Sequence, residues 1–99
     1  MRITQEQATA IKSAAHAVLG EHARVVLFGS RVNDQLKGGD IDLLVETPQV
    51  LLNRTEATGR IYAKLIKALG DRKIDLILKD AQTVDAPIHQ IARQTGVVL

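Results

Sequence analysis

The run Asp40-Ile41-Asp42-Leu43-Leu44-Val45 sets two carboxylates at alternate positions of an aliphatic segment. Side chains alternate across a strand, so both acids leave one face about 6.6 Å apart along the chain. Ile41, Leu43 and Val45 then leave the other face. Lys73 to Leu78 repeats the pattern, with Ile74, Leu76 and Leu78 on one side and Asp75 on the other with Ile77. If these two strands are neighbours, three carboxylates share one face while the aliphatics of both fill a core. Such crowding raises carboxyl pKa values until a cation arrives. An all-oxygen donor set of this kind suits Mg²⁺ or Mn²⁺. Ions ~3.5–4 Å apart can activate an attacking hydroxyl and neutralise a leaving oxygen in phosphoryl or nucleotidyl transfer. The plainer reading is two acids on a solvated sheet face. Against it, Asp has poor strand propensity, so two beside an aliphatic run cost stability.

Gly29-Ser30 closes the preceding apolar run, Ala23 to Phe28. A glycine at a strand end lets backbone approach a ligand closely, and a helix starting at Ser30 would offer unpaired N–H groups to a phosphate. Arg31 adds a positive charge. Taken alone, the dipeptide reads equally as a strand-to-helix turn with a serine cap. Neither the Walker nor the dinucleotide glycine pattern is present. His16, His22 and His89 lack a metal-site spacing and read as surface or partly buried residues. Nothing argues for a His–Asp relay that would make Ser30 a nucleophile. Arg60, Lys64 and Lys67 read as the solvated face of a helix. Tyr62, on the same helix, suits a core or partner contact better than base stacking.

The elements that must position these groups follow from periodicity. Thr4-x-x-Gln7 is a capping-box pattern ahead of Ala8, Ile11, Ala15 and Val18, which predicts a helix of about four turns ended by Gly20. The 23–28 run predicts a strand buried on both faces. Ser30 to Lys37 predicts one or two helical turns, broken by Gly38-Gly39, and 40–45 a second strand. Thr47-Pro48 predicts a helix start running to Gly70, with a break or kink near 53–59. A third strand covers 73–78, Asp85-Ala86-Pro87 opens a last helix ended by Gly96, and Val97-Val98-Leu99 adds a terminal strand. The expected fold class is α/β (α+β), a small mixed sheet of three to four strands with helices packed on it.

Ninety-nine residues allow one small domain, 1–99, and exclude barrels and long repeat arrays. Hydrophobic residues are 45% and charged residues 24%, which excludes the disordered class. There is one Tyr, one Phe and no Trp, so the core is aliphatic and no surface relies on aromatic stacking. The lack of cysteine excludes disulfides, thiolate metal sites and a thiol nucleophile. No signal-like or membrane-length apolar run occurs, so no membrane contact and a cytoplasmic location are expected. The net charge of +2 comes from scattered basic residues, a weak argument for nucleic acid.

Together, Leu27-Phe28-Gly29-Ser30-Arg31 and the spaced Gly39-Asp40-Ile41-Asp42-Leu43-Leu44-Val45 resemble the nucleotidyltransferase signature of the DNA polymerase beta superfamily. Asp75 in Arg72-Lys73-Ile74-Asp75-Leu76 stands where that superfamily has its third carboxylate. The short chain and the ending Gly96-Val97-Val98-Leu99 are similar to its minimal nucleotidyltransferase (MNT) branch. The resemblance implies a polymerase-beta-type core and a nucleoside triphosphate, with ATP expected, held by Gly29, Ser30 and Arg31. It implies Mg²⁺ or Mn²⁺ on the catalytic acids Asp40, Asp42 and Asp75, the last aiding the second metal or acting as base. The implied reaction moves a nucleoside monophosphate to an acceptor hydroxyl. The chain has no room for an acceptor-gripping domain, so a partner protein or a second copy must hold the acceptor. The resemblance further implies an antitoxin-like protein that attaches AMP to a tyrosine of a helical HEPN-domain partner. A non-catalytic module that neutralises or regulates a partner is the alternative.

Overall fold

A computed structural model describes residues 3–29, 40–70 and 72–99. Helix α1 is Gln5–Leu19. Its first turn carries the reciprocal box written in the sequence: the Gln7 N–H donates to Thr4 Oγ1 at 3.0 Å, and the Thr4 N–H donates to Gln7 Oε1 at 2.8 Å. Strand β1 is Arg24–Phe28 and β2 is Ile41–Glu46. Helix α2 follows over Arg54–Leu69, then β3 over Ile74–Lys79. Helix α3 is Pro87–Thr95, and β4 is Val97–Val98. The short helix expected between Ser30 and Lys37 lies outside the described residues.

The four strands form one mixed sheet in the order β3-β2-β1-β4. β1 runs antiparallel to both β2 and β4, whereas β2 and β3 are parallel. Parallel neighbours need a long crossover, and α2 supplies it. Residues opposite one another on paired strands point to one face. Phe28, Asp42 and Asp75 therefore form a row across the sheet. Val26, Leu44 and Ile77 form the next, and Arg24, Glu46 and Lys79 the one after.

The sheet is sandwiched. On one face Val25, Leu27, Ile41, Leu43 and Val45 meet Ile11 and Leu19 of α1 and Ile61 and Leu65 of α2 in the larger core. On the other, Val26, Phe28, Leu44 and partly buried Ile77 pack against Ala92 of α3. Both faces of β1 are covered, as its unbroken apolar run requires. Helix α3 sits close because residue 96 is glycine. A Cβ there would lie 2.5 Å from Val26 Cγ1 and 2.4 Å from the Ala92 carbonyl oxygen. Arg93 ties the helix to β2, its Nε donating to both Glu46 carboxylate oxygens at 3.3 Å, and it also pairs with Asp85. Beside that guanidinium the Asp85 carboxyl is held below its usual range. No described helix is long and apolar enough to cross a membrane.

Two expectations are corrected. The second helix does not start at Thr47-Pro48. Val50, Leu51 and Leu52 belong to a non-helical connection, and the helix is capped by Asn53, whose Oδ1 accepts the Glu56 N–H at 2.9 Å. Tertiary bonding overrides the local helix-start chemistry. The Thr47 N–H donates to the Lys79 carbonyl at 3.0 Å, prolonging the sheet. Asp80 then takes the Leu51 N–H at 3.0 Å. The second correction is His89, which is buried rather than surface or partly buried. Its Nδ1 accepts the Ala86 N–H at 2.9 Å and so caps α3 from inside.

Asp80 is the hub of the connection between β2 and α2. Besides Leu51, it accepts the Gln82 N–H at 3.0 Å and the Thr83 hydroxyl at 2.9 Å. The Leu51 bond leads in holding its carboxyl below the normal range, followed by the Thr83 hydroxyl. A depressed carboxyl pKa stabilises the fold above the unfolded value, and that stability is lost as pH falls through the folded one. Asp80→Ala is expected to lower Tm at pH 7, with the gap to wild type closing as pH falls through that window. Melts across pH 2–7 check this, and a gap independent of pH would contradict it.

Candidate active site

The row Phe28, Asp42, Asp75 lies at the end of the sheet where β1 finishes and β2 and β3 begin. Local sequence makes it so. Alternation drives Ile41, Leu43 and Val45 of β2 and Ile74 and Leu78 of β3 into the α1–α2 core, which leaves Asp42 and Asp75, in register, on the opposite face with Leu44 and Ile77. Asp42 is half-buried and Asp75 exposed. Burial is the main cause holding the Asp42 carboxyl above its normal range. A hydrogen bond with Asp75 and the charges of Asp75 and Asp40 push the same way, while Lys73 opposes them.

Gly29 ends β1 beside this pair, with φ of +75°, a conformation that L side chains rarely adopt. A Cβ on residue 29 would lie 2.1 Å from Asp42 Oδ2. The glycine is therefore the floor on which the Asp42 carboxylate rests. Ser30 and Arg31, the other expected phosphate-binding residues, lie outside the described residues.

Asp40 precedes β2 and faces a cation. Lys73 Nζ is 3.5 Å from Asp40 Oδ2, and the backbone repeats the pairing, with the Ile41 N–H donating to the Lys73 carbonyl at 3.0 Å. Among the described residues no three His, Cys, Asp or Glu side chains converge to hold a metal ion. Asp42 and Asp75 are brought together, and Asp40, whose charge is also felt at Asp42, pairs with Lys73. The donor chemistry nonetheless fits a hard divalent ion. The set is all oxygen, and the mutual repulsion felt at Asp42 is of the kind a dication relieves.

Lys73 carried no role in the sequence reading, because its place beside Asp40 follows only from the β2–β3 register. With Asp42 in register with Asp75 on parallel strands, the residues two earlier, Asp40 and Lys73, must also lie side by side. A groove of about 470 Å³ opens beside Asp75, between α2 and β3, and Thr58, Gly59 and Tyr62 line its α2 wall. Tyr62 is 40% exposed there, so it is not a core residue. Arg60, Lys64 and Lys67 are exposed on α2, as a solvated face requires. His16 Nε2 bonds the Ala23 carbonyl at 3.1 Å, and His22 is exposed.

The model of the nucleotidyltransferase domain family matches residues 10–95, most of the chain. The chain belongs to the nucleotidyltransferase domain family. No curated protein matches it. Membership accounts for the architecture, a mixed sheet with helices on both faces, and makes the general chemistry nucleotidyl transfer. Such domains typically act on a nucleoside triphosphate with a divalent metal ion.

Proposed function

We propose that this nucleotidyltransferase domain moves a nucleoside monophosphate, AMP from ATP, to a hydroxyl of a protein acceptor, with Mg²⁺ as the working ion. The observation that carries the proposal is the in-register pair Asp42–Asp75 beside Gly29, with Asp40 one pleat away. Asp40 and Asp42 would hold the ion, with Asp75 at its acceptor side. When bound, the ion supplies charge neutralisation at the phosphates and a lowered pKa for the attacking hydroxyl. Gly29 leaves room for the Asp42 carboxylate, and Gly29, Ser30 and Arg31 would be the residues that meet the phosphates. Asp75, exposed at the groove, takes the proton of the acceptor hydroxyl. The acceptor oxygen bonds the α-phosphorus, and pyrophosphate leaves with the electrons of the broken P–O bond. The acceptor we favour is a tyrosine of a helical HEPN-domain toxin, so that transfer would make this protein its antitoxin.

Transfer of label from α-³²P ATP into a lysate of the source cells tests this, with Asp40→Asn/Asp42→Asn run in parallel. The expected result is a labelled protein band that needs Mg²⁺, disappears with EDTA and is absent with the double variant. Label equal in the two lanes would remove the assignment of these acids.

A second reading is a module that neutralises a partner by binding alone. It draws support from the outer side of α3, where Ile88 and Ile91 are 41% and 52% exposed. Full neutralisation of the partner by the double variant would select it.

A further inference from the structure

We infer that Lys73 is a resident counter-cation of the site, which a metal ion must displace from Asp40 before the acids can close around it. The inference rests on the proposed metal-dependent reading and concerns how the ion is loaded. Three observations carry it. The Lys73 ammonium is 3.5 Å from Asp40 Oδ2. The sheet sets the two backbones side by side, because the Lys73 carbonyl accepts the Ile41 N–H at 3.0 Å. Finally, among the described residues no three acids converge to hold an ion, although the charges of Asp40 and Asp75 both act on Asp42 and Lys73 opposes them.

The physical consequence is competition. Acids crowded on one sheet face repel one another, and an ammonium among them relieves that repulsion in the metal-free protein. A divalent ion does the same with twice the charge, but it meets the lysine's positive field and must take Asp40 from it. Lys73 therefore weakens binding of the bare ion. Its side chain is 72% exposed and the Asp40 side chain 41%, so the pair is solvent-screened and the lysine is free to swing outward. An ammonium released beside a bound triphosphate gains a new anion, so the lysine that opposes the metal alone favours the metal–nucleotide complex. Lys73 is in this sense a positioning residue, acting through Asp40.

The test is Mn²⁺ binding to the metal-free protein, read from the free-ion EPR signal at low salt and without nucleotide. Lys73→Gln is expected to bind Mn²⁺ about three- to fivefold more tightly than wild type, the scale of an exposed ion pair, and added salt should shrink the difference. Lys73→Arg should stay near wild type. Lys12→Gln, on exposed α1 surface, removes the same charge elsewhere and should change nothing. With ATP present, the order should reverse, Lys73→Gln binding Mn–ATP more weakly than wild type. Lys73→Gln binding Mn²⁺ no more tightly than wild type, while Asp42→Asn abolishes binding, would overturn this inference alone. Wild type binding no more Mn²⁺ than Asp42→Asn would overturn the metal-dependent reading and this inference with it.

Discussion

Gly29→Ala is expected to reduce nucleotidyl transfer at least a hundredfold while leaving a folded protein. Two independent penalties meet at this residue. With φ at +75°, any Cβ costs about 1–2 kcal/mol in the left-handed region. For a domain of this size that corresponds to a Tm loss of roughly 5–15 °C. The second penalty falls on function. The new methyl would lie 2.1 Å from Asp42 Oδ2, well inside van der Waals contact, and the carboxylate is the group that must yield. It is the end of a flexible side chain, so the fold survives its displacement. Catalysis does not tolerate such a shift, because about 1 Å of misplacement at reacting groups costs ~10²-fold. Thermal melts alongside label transfer check both halves. A folded Gly29→Ala protein with wild-type transfer would show that the Asp42 position is irrelevant to the reaction.

Asp42→Asn should separate stability from activity in opposite directions. Transfer is expected to fall by about 10³-fold or more, since the substitution removes an anionic oxygen from the centre of the site. The metal-free fold should become more stable at pH 7. The Asp42 carboxyl is held above its normal range by burial first, then by Asp75 and Asp40. A carboxyl whose folded pKa exceeds its unfolded value binds its proton more tightly when folded. Raising the pH above about 4 therefore weakens the wild-type fold until the folded pKa is passed. The neutral amide has no such loss. Like charges opposite one another on paired strands cost up to about 1 kcal/mol, so Tm should rise by a few degrees. That gain should vanish as pH is lowered below the normal aspartate range. Saturating Mg²⁺ should reverse the ranking, because ligand binding stabilises only the form that holds it. Melts with and without Mg²⁺ at pH 4 and pH 7.5 check the crossing. An Asn variant less stable than wild type without metal would show that Asp42 serves the fold rather than opposing it.

Much of this arrangement was legible in the sequence because it rests on local periodicity. Alternation in 40–45 and 73–78 places Asp42 and Asp75 on the face opposite the larger α1–α2 core, and parallel pairing then aligns them. Thr4 and Gln7 are three apart, so the α1 cap is also a local fact. The start of α2 was misread for the opposite reason. Thr47-Pro48 carries good helix-start chemistry, but the segment's N–H groups are claimed by Lys79 and Asp80 from the other side of the chain. Asn53, whose side chain makes the actual cap, resembled a polar interruption inside a longer helix. His89 has no sequence signal of burial, since its capping bond goes to a backbone N–H that every residue offers. Lys73 becomes visible only once the β2–β3 register is known.

The parallel pairing of β2 with β3 also bears on when the protein becomes competent during its synthesis. β1 and β2 pair antiparallel, but Asp75 reaches Asp42 only after α2 has crossed over and β3 has docked. A nascent chain emerging as far as α2 carries Asp40 and Asp42 without the third acid or Lys73. Its β2 also has an open edge where β3 belongs. Such a chain lacks Asp75, the proposed proton acceptor, so on the proposed mechanism it would not consume triphosphate before β3 docks. On that mechanism reactivity belongs to the assembled β2–β3 pair and not to either strand alone.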